Sequence, residues 1–262
     1  MISFGKIKIH IGVFILFLFA LLTGRLSVFI FAFLAVTIHE MAHIIAGIIF
    51  GGSVLEICIT PIGEFARINN FWNFTQFERI FILLCGPIVN ILIGLCIKFL
   101  NIEYLLFFSH INIALAIFNI IPVLPLDGGN IVYSIIGREK GVIHTAKLMT
   151  AIEGVFGIIL MCIGVIQVIL YPFNISLIIT GGYFIFSKRQ EYLERVSDFY
   201  MTVINKNRVY DIPMNVKTLY FNGDYREVIK YFNYDDYFFV IENDDFGNYK
   251  KRSMEDIVEL II

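Results

Sequence analysis

Two histidines flank a glutamate in the order His39-Glu40-Met41-Ala42-His43. On a helix, residues four apart share a face. Two imidazoles at that spacing can ligate one Zn²⁺. Glu40 between them is placed to take a proton from a water activated at the metal. These residues lie inside an apolar stretch, where ionisable side chains are costly and usually functional. The plainer reading makes the histidines helix-packing hydrogen bonders beside a neutral Glu40. Three ionisable groups in five residues have little packing rationale, so the metal reading is preferred.

Two histidines and a water leave one protein ligand to find. Asp127 lies in Asn119-Ile120-Ile121-Pro122-Val123-Leu124-Pro125-Leu126-Asp127-Gly128-Gly129. The two prolines break a helix there, and the glycines permit a sharp turn. A broken segment enclosed by protein can carry a carboxylate back to membrane depth. The alternative is a loop aspartate capping a helix at Asn130.

Something must hold these residues, and composition says what. The chain has 262 residues, 58% hydrophobic and 16% charged, and a mean hydropathy of +0.79. Soluble domains carry about 25% charged residues. The balance excludes a soluble enzyme and a disordered chain. The net charge of −2 predicts no nucleic-acid partner. Residues 1–187 hold 17 charges and residues 188–262 hold 25. The expected division is a membrane domain, 1–187, followed by a small α+β cytoplasmic module, 188–262. None of the four cysteines forms a C-x-x-C pair, so no thiolate site is expected.

A helix needs about 20 apolar residues to cross a bilayer. Six spans are expected, near 9–23, 26–50, 77–100, 103–121, 151–170 and 174–187. No small-residue cleavage pattern follows the first apolar stretch, so it is read as a span rather than a signal peptide. Basic residues on the two sets of loops number seven against two. This predicts a multi-pass protein of the cell membrane with both termini in the cytoplasm. The second and fourth spans would then bring His39, His43 and Asp127 together in the cytoplasmic half. Residues 51–76 suggest a short hairpin or re-entrant segment. In the tail, Val228, Ile229 and Phe232 look helical, 237–241 reads as a strand and 257–262 as a final helix.

The whole pattern resembles the site-two protease family of intramembrane zinc metalloproteases. His39-Glu40-x-x-His43 comes first. Gly86-Pro87-Ile88-Val89-Asn90 then resembles the family's G-P-x-x-N element, and Asn119 to Gly128 its N-x-x-P-x-x-P-L-D-G element. The resemblance implies one zinc per chain, held by His39, His43 and Asp127, with Glu40 as the catalytic base. Asn90 and Asn119 would be polar supports, with helix–helix hydrogen bonding as the alternative. No loop has room for a PDZ domain. Six spans and a small C-terminal module resemble the branch with CBS domains, Asn222-Gly223-Asp224 leading a helix of one such repeat. That branch implies a membrane-associated protein substrate, a sporulation pro-sigma factor among them. It also implies ATP at the C-terminal module, inhibitory membrane partners and homo-oligomers. A membrane metal-ion transporter using the same cluster is the rival, although transporters commonly show inverted repeats that are not evident here.

Overall fold

The structure is a computed structural model, and it describes residues 2–4, 6–60, 63–69, 71–171, 174–206, 215–221, 224–243 and 249–261. The chain packs as two compact units. One holds residues 1–121 with 126–128, and the other 122–125 with 129–262.

The first unit opens with strands β1 (Ile2–Phe4) and β2 (Ile7–Ile9), then helices α1 (Ile11–Leu22) and α2 (Leu26–Ile49). A hairpin follows, β3 (Val54–Thr60) and β4 (Gly63–Ile68), then α3 (Gln76–Phe99) and α4 (Leu106–Ile120). The strands form one sheet in the order β1-β2-β3-β4. Strand β2 runs parallel to β3, and β3 pairs antiparallel with β4, Ile57 opposite Ala66. Glu56 pairs with Lys8 and Arg67 across the sheet. The Lys8 ammonium, hydrogen-bonded to Glu56, holds that carboxyl below the usual carboxylate range.

Helix α3 starts on a capping box. The Thr75 side chain accepts from the Glu78 backbone N–H, and the Glu78 side chain accepts from the Thr75 N–H. Buried Arg79 donates to the carbonyls of Trp72 and Phe74 at 3.0 and 2.8 Å and so ties down the preceding loop. Helices α2, α3 and α4 bury Ala35, Ile97 and Phe108 among them. At Gly94 a Cβ would lie 2.5 Å from Ile113 Cγ1, so α4 approaches α3 where a side chain is missing.

The second unit holds α5 (Asp127–Lys140, from Gly129 onward), α6 (Val142–Leu170) and α7 (Ser176–Lys206). Helices α6 and α7 meet at Gly157 and Gly181, each close against the other's carbonyl. Beyond them lie β5 (Asn215–Tyr220), α8 (Tyr225–Val228), β6 (Asp236–Asn243), β7 (Tyr249–Ser253) and α9 (Met254–Ile261). Strand β5 is parallel to β6, and β7 antiparallel to it. Phe232, Phe238, Val240, Ile257 and Val258 fill the core of this module. It docks on the α5–α6 corner. Val142 N–H donates to the Phe232 carbonyl at 3.0 Å, and the Asn233 amide to the Arg138 carbonyl at 2.9 Å.

Among the described residues, four helical segments are long and apolar enough to cross a membrane: 26–49, 76–99, 103–120 and 142–170. Helix α1 is apolar but only 12 residues long. Two differences from the sequence reading have physical causes. Helix α6 begins at Val142, not near 151, because the polar turn before it is already helical and its Thr145 and Ala146 are buried. Helix α7 runs on past Ser187 to Lys206, so the change in charge density falls within a helix. Asn222 and Gly223 lie outside the described residues; Asp224 caps α8 by accepting from the Arg226 N–H.

Candidate metal centre

His39 and His43 sit in the middle of α2, both buried. At about 100° per residue, His39, His43, Glu40 and Thr37 follow one another around that helix. Its two sides therefore meet different partners.

The histidine side faces α3 and Asp127. His39 Nε2 lies 2.9 Å and His43 Nε2 3.3 Å from the same carboxylate oxygen, Asp127 Oδ2. Donor atoms of the three residues fall within 4.8 Å of one another. In a tetrahedral zinc site with bonds near 2.0–2.2 Å, donors stand roughly 3.3 Å apart. The two spacings to Asp127 Oδ2 are close to that. His43 Nδ1 lies 2.7 Å from the Ile82 carbonyl of α3. A carbonyl only accepts, so Nδ1 carries the proton and Nε2 keeps its lone pair for the centre. His43 Nε2 is buried with no hydrogen-bond donor facing it among the described residues. A cation fits this set. Two neutral imidazoles and a carboxylate suit zinc.

The fold reaches this arrangement through small residues. At Gly86 a Cβ would overlap His43 Nε2 and lie 2.8 Å from His39 Cε1, so only glycine lets α3 come this close. A Cβ on Gly128 would overlap the Ile120 carbonyl at the end of α4, so glycine is needed where the chain turns back after Asp127. Asp127 is itself the first residue of α5. Asn130 turns its amide to the Pro125 carbonyl at 2.9 Å.

The other side of α2 meets β4, an edge strand of its sheet among the described residues. Residues alternating along β4 touch α2 in turn. Glu64 lies 2.9 Å from the Thr37 hydroxyl, the Ala66 backbone lies beside Glu40, and Ile68 packs on Gly47. Glu40 therefore stands between the histidines and the strand.

Asn90 is fully buried, and its amide lies 3.5 Å from the Ala35 carbonyl, one turn before His39. Its Oδ1 has no partner among the described residues. Asn119 donates to Leu115 at 3.1 Å within its own helix. The contact of Gly86 with the imidazoles and the tie between Thr37 and Glu64 escaped the sequence reading. A glycine beside a proline in a span was visible. Nothing in the spacing of Glu64 pointed to α2.

Comparison with known proteins agrees with this geometry. The model of peptidase family M50 matches residues 97–164, which include Asp127 but begin after the histidines. A zinc metalloprotease of Methanocaldococcus jannaschii is 28% identical over 172 residues, 62% of this chain and 48% of that protein. The chain thus spans about half the length of that relative. Stage IV sporulation protein FB of Bacillus subtilis is 23% identical over 196 residues, covering 72% and 67% of the two chains. The solved site-2 protease from M. jannaschii superposes with a TM-score of 0.60 at 25% identity, over 73% of this chain and 94% of that one. The proteins this chain is similar to in fold and in sequence are membrane metalloproteases. Within it, this chain has the site-2 protease fold and resembles peptidase family M50.

Proposed function

We propose that this protein is an intramembrane zinc metalloendopeptidase. The observation that carries the proposal is the convergence of His39, His43 and Asp127 on one point, with Glu40 beside it. His39, His43 and Asp127 would hold the ion. Bound there, zinc supplies Lewis acidity and brings water into the nucleophilic range near neutral pH. Glu40 takes the proton from the attacking water and returns it to the leaving amine. The buried Ile82 carbonyl keeps His43 in the tautomer that ligates. The edge of β4 beside Glu40, unpaired with a further strand among the described residues, suits an extended peptide, which can pair with it backbone to backbone.

Both termini lie in the cytoplasm in this proposal, and cleavage occurs toward that face. The substrate is a membrane-associated protein, and the likeness to a sporulation protein supports a pro-sigma factor. ATP at the C-terminal module stays an expectation of the resemblance and is not included. The glutamate beside the two histidines favours hydrolysis over metal transport.

The test is co-expression with a tagged pro-sigma factor, comparing wild type with Glu40→Gln by immunoblot, with zinc measured on the purified chains. Cleavage by wild type alone, with about one zinc in both, supports the proposal. A chain that neither cleaves nor binds zinc sinks it.

A further inference from the structure

Glu64 is a half-buried carboxyl that the metal centre does not use. Its partner, Thr37, makes two contacts of 2.9 Å, one to Glu64 Oε1 and one to the Phe33 carbonyl. A threonine hydroxyl has one proton and two lone pairs. A carbonyl can only accept. If the Thr37 proton goes to Phe33, the second contact needs a proton from Glu64. That arrangement satisfies all three groups and leaves no charge buried against an apolar helix.

The three contacts between β4 and α2 also differ in kind. Ile68 on Gly47 is apolar and has no direction. The Ala66 backbone lies beside Glu40, whose protonation changes in the proposed reaction. The tie from Glu64 to Thr37 is a directional contact that can persist through turnover.

We propose that Glu64 is a positioning residue for peptide cleavage, donating as a neutral carboxylic acid to Thr37 and so fixing the edge strand β4 against the helix that carries Glu40. This rests on the proteolytic function proposed above. A strand displaced by about 1 Å would misplace a bound peptide, and such errors cost up to about 100-fold in rate.

The full chain in detergent micelles is compared as wild type, Glu64→Gln, Glu64→Ala, Thr37→Ser and Thr37→Val. Hydrogen exchange of amides 63–68 reads the strand directly. Cleavage of the tagged pro-sigma factor gives kcat and KM, and zinc content is measured alongside. Glu64→Ala and Thr37→Val should speed exchange at Ala66 and lower kcat about tenfold or more, with zinc unchanged. Glu64→Gln and Thr37→Ser keep a donor and an acceptor in place and should stay within about threefold of wild type. In a Glu40→Gln background, Glu64→Gln should remove one component from the infrared carbonyl band of protonated carboxylic acids. Unchanged exchange in Glu64→Ala overturns the tie, as does a Gln variant as impaired as the Ala variant. If wild type cleaves nothing, the proteolytic function fails separately, and exchange and infrared still decide whether Glu64 holds the strand.

Discussion

Gly86 of α3 lies directly against His43 of α2, and a methyl group there would overlap the imidazole Nε2. Backbone carries the glycine and the helix packing carries the histidine, so neither can easily retreat. Gly86→Ala should therefore displace His43 and weaken zinc retention about 10- to 100-fold, the range found for residues that orient metal ligands. Gly182→Ala is the control, since nothing lies within 4 Å of a Cβ there. Zinc per chain after dialysis against a weak chelator reads the difference.

Glu40→Gln should separate metal binding from chemistry. The amide occupies the same space but cannot accept the proton. Cleavage should fall about 10²- to 10⁴-fold while zinc content stays at the wild-type level. Stripping wild type with a strong chelator should abolish cleavage, and added zinc should restore it.

Asn90 is fully buried, with an acceptor oxygen that no described residue serves. Unserved acceptors of this kind cost about 1–3 kcal/mol. Its neighbourhood beside Ala35 suggests that a substrate amide or a water serves it during reaction. Asn90→Ala should lower cleavage about tenfold and leave zinc in place. A thermal-unfolding midpoint equal to or above that of wild type would accompany it.

The C-terminal module should respond to acid through Asp236. Burial alone would raise its pKa. The Lys217 ammonium and the Asn233 amide outweigh this and hold the carboxyl below its usual value. A depressed carboxylate stabilises the fold above its unfolded pKa, about 3.9, and that contribution is lost as pH falls through the lower folded value. Protection of the β6 amides, corrected for intrinsic exchange, should hold down to about pH 4 and fall below it. Asp236→Asn should weaken protection at pH 6 and flatten this acid dependence.

The meeting of His39, His43 and Asp127 was legible because its signals are local. Four-residue spacing places His39 and His43 on one face whatever the fold, and Pro122 and Pro125 announce a break before Asp127. The β3–β4 hairpin was suggested by its alternation. Strands β1 and β2 were not, because three-residue strands carry too little pattern and β2 finds its partner some 50 residues away at Ile57–Ile59. The reason for Gly86 lies in the approach of two helices, and the role of Glu64 in the course of β4 along α2. Such relations exist only once distant segments have met.

The alternation on β4 also sets an arithmetic for how this segment can vary. Glu64, Ala66 and Ile68 meet α2, while Phe65 and Arg67 face outward and are exposed. One residue inserted between Glu64 and Ala66 would turn one half of the strand over. Arg67 or Glu64 would then exchange sides, and a cation could be pressed against an apolar helix. Two residues inserted would restore the alternation. Length changes here should be tolerated in even steps and rejected in odd ones.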